Sequence, residues 1–497
     1  MPLTDLLRTP LPDYVGPCYF RRLGEDWLLT NDWGRHARLS PEAFAGFFGG
    51  APDRGAPWWA DLREKGFLRD HLDFPALASR FARANSFLWS GPRLHIAVLT
   101  SRCNHACAYC QAGSSLGAGA GGDMSLDTAR RVVEFAFASP APELTLEFQG
   151  GEPLLNWDAL EVMVRFGREF SKTAGRPLRL ALVSNLSLLD DARLAFLMEH
   201  KVSLCTSLDG PADLHDRNRP YSGGSSHAAV ERWLKAAAER YPDSPAKRHP
   251  QPNALLTVTR ASLERAEDIV DEYARLGLTS LFSRPLTPIG AARRSWKAVG
   301  YTVDEYLAFY RRLLERVLEL NRRGVPMRER GAGILLAKIL RGADPGFTDL
   351  RSPCGAAVGQ LAYNHDGDVY TCDEGRMLAE EGDRLFRLGN VHETPYVEAV
   401  RHPTAKACQV ASHLEDQPLC SKCAYRPFCG VCPAINYAAQ DTVWGRMGTS
   451  DRCAVYQGVF DHLFERLREP ETAKVFEAWA DMSAGCGPDC ADALEAG

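Results

Sequence analysis

From about residue 94 apolar runs alternate with amphipathic stretches. "LHIAVLT", "LTLEFQ", "LRLALVS", "VSLCTSL", "NALLTVT" and "LTSLFSR" read as strands. Between them lie helical patterns such as "SLDTARRVVEFAFAS" and "LERAEDIVDEYARLG". Each crossover must return the chain to the same end, so the strands are parallel. The pattern predicts an α/β fold, a partial (β/α)6 TIM-like barrel, with its active face at the C-terminal strand ends. Residues 1–90 read as a separate small α+β unit. "DWLLT" and "RHARL" flank the turn "NDWG", Ser40 caps a helix that starts at Pro41, and "WWADLREKG" predicts a second helix stopped by Gly66. The expected organisation is 1–90 peptide-recognition-like, 91–300 barrel, 301–349 helical linker, 350–470 cysteine-rich domain and 471–497 tail. The region from 350 reads as held together by metals more than by a core.

Composition narrows the class. The 497-residue chain is 45% hydrophobic and 24% charged with net charge −5, ordinary for a soluble protein and too mild for a nucleic-acid or membrane partner. It lacks an apolar run of membrane-spanning length and a basic, apolar start like a secretory signal, so a cytoplasmic location is expected. Fifteen cysteines in a reducing compartment point to metal binding. Cys18, Cys205 and Cys408 stand apart from the groups, and lone cysteines are usually small buried hydrophobes.

Cys103, Cys107 and Cys110 follow the first barrel strand at Cys-x3-Cys-x2-Cys spacing. Three thiolates on one short loop can hold three irons of a cubane and leave the fourth free; a zinc site completed by His105 is the alternative. Polar motifs end the next three strands: Gln149, Gly150, Gly151, Glu152 and Pro153; Ser184 and Asn185; and Ser207 with Asp209 in "SLDGP". The glycine pair lets backbone approach a ligand closely, and Glu152 offers a carboxylate to an ammonium group.

These motifs resemble those of the radical S-adenosylmethionine enzymes over roughly residues 94–290. The resemblance implies a [4Fe–4S] cluster on Cys103, Cys107 and Cys110 whose free iron chelates S-adenosylmethionine. It further implies Tyr109 near the adenine, "GGEP" at the methionine amino group, Ser207 and Arg219 at the carboxylate, and Asn185 on the ribose or carboxylate side. Arginine suits a carboxylate through its planar fork; a solvated loop charge is the alternative for Arg219. The chemistry implied is reductive cleavage to a 5′-deoxyadenosyl radical that takes a hydrogen atom from carbon.

The later cysteines, read alone, would suggest a zinc ribbon. After such a barrel they resemble a SPASM domain with one or two auxiliary [4Fe–4S] clusters. The resemblance implies Cys420, Cys423, Cys429 and Cys453 for one, and Cys354, Cys372 and Cys432 for the other. Only Gly430 and Val431 separate Cys429 from Cys432, one residue fewer than the pattern has, and the cysteine that some relatives carry soon after the first is missing. The second cluster therefore has an open iron, a non-cysteine ligand or a distant one such as Cys408, or is absent. Asp373, directly after Cys372, matches a proposed base of the sulfatase-maturing relatives; the plain alternative is a polar residue ending a strand.

"RRLGEDWLLTNDWG", "LHIAVLTSRCNHACAYCQ", "EFQGGEPLLN", "SLDGPADLHDRNRP" and "FRLGNVH" together resemble the His-Xaa-Ser-system maturases. The resemblance implies a precursor-peptide substrate and says little of the bond formed; a carbon–carbon or similar cross-link between side chains is the expected reaction, with an electron donor such as flavodoxin or ferredoxin. The N-terminal unit loosely resembles leader-binding winged-helix elements, which add a peptide strand to a sheet edge; a barrel cap is the alternative. Two other readings of the whole chain stand beside this one: an anaerobic sulfatase maturase, and a non-catalytic zinc scaffold.

Overall fold

A computed structural model describes residues 11–50, 53–113, 115–116, 122–240 and 252–485. The N-terminal unit is an antiparallel sheet of β1 (Tyr19–Leu23), β2 (Asp26–Thr30) and β3 (His36–Leu39), followed by α1 (Pro41–Phe48), α2 (Pro57–Glu64) and α3 (Phe74–Ala84). Ser40 accepts from the Ala43 amide and caps α1. The indole of Trp27 stacks on Phe44 at 4.2 Å between centroids, which seats α1 on the sheet.

All six expected barrel strands form: β4 (Leu94–Val98), β5 (Leu144–Gln149), β6 (Leu178–Val183), β7 (Val202–Ser207), β8 (Asn253–Thr257) and β9 (Ser280–Arg284). They pair in parallel in that order. The sheet does not stop there. β10 (Arg328–Glu329) adds in parallel beside β9, and β11 (Gln360–Tyr363) adds in parallel beside β4. β12 (Asp368–Tyr370) and β13 (Arg387–Asn390) then extend the β11 edge antiparallel. β10 and β13 end the sheet without pairing to one another, so the barrel is open.

The expected break near 350 is thus crossed by the sheet itself. His95 of β4 hydrogen-bonds the Tyr363 hydroxyl of β11 at 2.7 Å, and Leu361, Tyr363, Val369 and Leu388 share a core with Leu146 and Phe148 of β5. Tyr425, Phe428 and Phe460 lie in the same core as Leu255, Phe282 and Leu313. The expectation of a cysteine-rich region short of a core is corrected: its strands and helices bury apolar side chains against the barrel.

The expected linker is also part of the wall. Thr302 and Glu305 form a capping box that starts α4 (Val303–Arg322), which ion-pairs with the helix Ala266–Arg275 through Arg312–Glu267 and Arg316–Asp271. From the expected tail, the helix Pro470–Gly485 buries Phe476 and Trp479 in the same core. Cys486 and Cys490 lie outside the described residues.

Candidate functional site

The loop after β4 carries Cys103, Cys107 and Cys110, and the ends of β5, β6 and β7 close around it. The "GGEP" stretch grips this loop directly. The Gly151 amide donates to the Thr100 carbonyl and the Glu152 amide to the Arg102 carbonyl, both at 2.8 Å. A Cβ on Gly150 would sit 2.6 Å from the Thr100 oxygen, and one on Gly151 would sit 3.0 Å from the Cys103 Cβ. What the glycine pair admits is therefore the cysteine loop itself.

Glu152 is fully buried. Its carboxylate accepts from the Leu154 amide at 3.0 Å, the Ser184 hydroxyl at 2.8 Å and the Asn185 amide at 2.8 Å. Burial raises its pKa against these hydrogen bonds. The expectation of a free carboxylate for an ammonium group is corrected: the group is a clasp joining the ends of β5 and β6, with no solvent-facing surface. The Asn185 side-chain amide continues the clasp to Asn104 of the cysteine loop at 2.9 Å. Gln149 ends β5 at the edge of the cavity described below, Pro153 begins the turn that Glu152 caps, and Ser207 is half-buried at the end of β7.

His105 is excluded as a fourth metal ligand. One ring nitrogen lies 3.0 Å from Asn104 Oδ1 and the other 2.9 Å from the Ser226 hydroxyl, and the ring stacks on Tyr221. Burial, with Arg219 nearby, holds its pKa down to about 4.

Tyr109, Asp209 and Arg219 form a buried group against the same loop. The Tyr109 hydroxyl donates to Asp209 at 2.7 Å and accepts from Arg219 Nη1 at 2.8 Å. Burial raises the Asp209 pKa while the arginine opposes it. Arg219 is not a solvated loop charge, for its guanidinium lies inside this group and its Nε is buried without a hydrogen-bond partner. Such an orphaned donor is costly and fits a carboxylate. The Tyr109 hydroxyl is committed to this pair.

The three thiols interact. Burial pushes Cys103 up to about 12, with Glu152, Cys107 and Cys110 adding to the shift. Burial likewise takes Cys107 to about 11, against the pull of Arg219. Among the described residues no three of His, Cys, Asp and Glu are placed to grip a single metal ion. One zinc would need its thiolates about 2.3 Å from its centre, whereas a cubane takes each thiolate on a separate iron. The donor set on the loop, three thiols with His105 engaged elsewhere, suits a cluster with one open corner.

The later cysteines divide into two groups. Cys420, Cys423, Cys429 and Cys453 line one hollow beside Tyr425 and Phe460. Burial pushes Cys420 and Cys429 up to about 12, and thiols of the same group add to both shifts. Cys354, Cys372 and Cys432 lie instead in a separate apolar nest. Gly430 parts the two groups, packed so tightly that a Cβ there would sit 2.7 Å from the Asp349 carbonyl. The shortened Cys429–Cys432 spacing thus still sends its two thiols to different places.

Between the cysteine loop and that nest lies a cavity of about 130 Å³. Gln111, Gln149 and Arg284 are among the polar residues on its barrel side, and Asp349, Asp373, Glu374 and Arg452 are among those that line it elsewhere. A second hollow of about 190 Å³ shares Pro285, Thr287, Ile435, Arg452, Val455 and Tyr456 with it. Asp373 begins α5 (Asp373–Glu380); its Oδ1 accepts from the buried Arg376 at 2.8 Å. Glu374 was not singled out in the sequence. Burial, with Asp349 and Asp373 nearby, pushes its carboxyl up to about 7. Its signal was available as the second of two acids directly after Cys372, but Asp349 and Arg452 reach the cavity only through the fold.

Residues 97–247 match the Radical SAM superfamily, and residues 354–424 match the SPASM iron–sulfur cluster-binding domain. The cysteine-type anaerobic sulfatase-maturating enzyme of Clostridium perfringens (strain 13 / Type A) is 25% identical over 386 residues, spanning 75% of this chain and 96% of its own length. The serine-type enzyme of Klebsiella aerogenes is 26% identical over 402 residues, spanning 78% and 89%. Among solved structures, native anSMEcpe with bound AdoMet superposes with a TM-score of 0.62 at 22% identity, covering 77% of this chain and 100% of that one. Streptococcus suis SuiB bound to precursor peptide SuiA gives 0.51 at 14% identity, covering 87% and 98%. Among the described residues no helix is long and apolar enough to cross a membrane.

Proposed function

As an enzyme with a radical S-adenosylmethionine core and a SPASM domain, this protein, we propose, modifies side chains of a ribosomally made precursor peptide, forming a cross-link between them. The observation that carries the reading is the cavity between the three-cysteine loop and the Cys354–Cys372–Cys432 nest, which shares Pro285, Thr287 and Tyr456 of its lining with a second hollow. Two adjoining spaces suit a side chain presented by an extended polypeptide. The peptide-bound SuiB and the sulfatase-maturating relatives support a polypeptide substrate.

When bound, the cluster and S-adenosylmethionine supply a radical that takes hydrogen from unactivated carbon. The chain's own residues do the rest. Cys103, Cys107 and Cys110 would hold the cluster and Arg219 would meet the carboxylate of S-adenosylmethionine, while Asp209 with Tyr109 balances the buried charge of that guanidinium. Asp373 accepts the proton that the substrate gives up, and the hydrogen bond from Arg376 to its Oδ1 holds the carboxylate in place. The N-terminal sheet, with strand edges at β1 and β3, offers a place for a leader strand. A one-electron carrier such as flavodoxin or ferredoxin reduces the protein.

The sulfatase-maturase reading is favoured by the two enzymes that match over three quarters of the chain and by Asp373. The test uses anaerobically reconstituted enzyme with a candidate precursor peptide and, separately, a sulfatase-derived peptide. Fragmentation mass spectrometry is expected to show loss of two hydrogens and a linked residue pair in the first. An aldehyde captured by a hydrazide probe in the second, with the first unchanged, would replace this reading. Cys107→Ala is expected to abolish 5′-deoxyadenosine formation with either peptide.

A further inference from the structure

Cys408 has no place in the cysteine spacing of the sequence, yet the fold brings it to the second cysteine group. It lies on α6 (Pro403–Ala411), 1% exposed, in one apolar nest with Cys354, Cys372 and Cys432. Ser412 fixes the placement. The Cys354 amide donates to the Ser412 hydroxyl at 2.9 Å, and that hydroxyl donates to the Cys408 carbonyl at 2.6 Å. Positions 408 and 412 share one helix face, so the contact that holds Ser412 to Cys354 also turns Cys408 toward it. Cys354, Cys372, Cys408 and Cys432 are all buried side by side in that nest.

One buried cysteine is ordinary packing. Four in a single nest otherwise built from Ile289, Ala356, Leu378, Phe386 and Ala434 make a donor set. We propose that Cys408 is the fourth thiolate of the auxiliary cluster held by Cys354, Cys372 and Cys432, in place of the early cysteine that this chain lacks. Four thiolates leave no iron open, so the substrate never ligates this cluster, and its exchange with the neighbouring cavity is of electrons alone. The inference rests on the SPASM domain and is independent of which bond the enzyme makes.

The experiment compares anaerobically reconstituted full-length wild type, Cys408→Ala and Cys432→Ala by iron and sulfide content, Mössbauer spectra and electron paramagnetic resonance. Cys408→Ala is expected to lose up to one cluster of iron, or to give a [3Fe–4S] signal on oxidation that wild type lacks. Wild-type iron and spectra in Cys408→Ala, with the cluster lost in Cys432→Ala, would overturn the assignment. Wild-type values in both variants would overturn the second cluster itself while leaving the peptide reading to its own test. Should Cys408→Ala not fold, cyanide added to the holoprotein of Cys103→Ala/Cys107→Ala/Cys110→Ala decides. An unchanged auxiliary spectrum is expected, and a shift reporting an open iron on the Cys354–Cys372–Cys432 cluster would overturn the proposal.

Discussion

A methyl group on Gly151 would overlap the Arg102 carbonyl and crowd the Cys103 Cβ. Gly151→Ala is therefore expected to push the cysteine loop off the barrel rim, and the iron content of the reconstituted protein falls with 5′-deoxyadenosine formation. Arg219→Lys keeps a charge but loses the fork. S-adenosylmethionine affinity is expected to drop about tenfold or more, about 1.4 kcal/mol at the least, as read by equilibrium binding. Asp373→Asn leaves that affinity intact, continues to cleave cofactor and makes about a hundredfold less product; equal loss of both outputs would remove the proton-accepting role. At this scale the chemistry of cysteine spacing was legible, because thiol ligands on a short loop need little beyond sequence proximity. The bonding of Glu152 and Tyr109 was not. Burial and three hydrogen bonds make the first a clasp, and a partner a hundred residues away claims the hydroxyl of the second.

Among the elements, the six barrel strands were legible because a parallel strand covered on both faces reads as an unbroken apolar run. β10 and β11 were not. They have two and four residues, and what makes them strands is pairing with β9 and β4, neighbours that the chain reaches only after folding. The N-terminal sheet shows the other limit: its hairpin was plain from "NDWG", but its seat was not. Arg21 holds Asp461 through two hydrogen bonds, at 2.7 and 2.6 Å, and the Thr30 hydroxyl donates to the Ala424 carbonyl at 2.6 Å, so the unit docks beside the Cys423 hollow. Trp27→Ala removes the stack on Phe44 and is expected to cost that unit about 3 kcal/mol. Limited proteolysis should then cut first within residues 11–72, while cofactor cleavage without peptide stays at the wild-type rate.

Across the whole molecule, one sheet and two apolar clusters tie the barrel to the region that carries the later cysteines. The docking of the N-terminal unit carries a pH dependence. His36 packs edge-on against Phe464, and burial, with Lys65 and Arg35 adding to it, holds its pKa down to about 4. Unfolded histidine titrates near 6.5. Protons therefore favour the undocked form: this stability is whole above about pH 6.5 and is lost as pH falls toward 4. Protection factors in β2 and β3, which are corrected for the slower intrinsic exchange at low pH, are expected to fall between pH 7 and 5, and His36→Gln to flatten the change relative to wild type; an identical profile in the variant would assign the effect elsewhere. By itself the sequence determined the strand–helix alternation, the barrel class and which cysteines gather on one short loop, because each depends on side chains within a few residues of one another. Only the tertiary structure decided which carboxylates are spent on structure, where the cavity opens and that Cys408 meets Cys354, Cys372 and Cys432. Those outcomes depend on burial and on contacts between segments far apart in the chain, and no local pattern of residues encodes such a meeting.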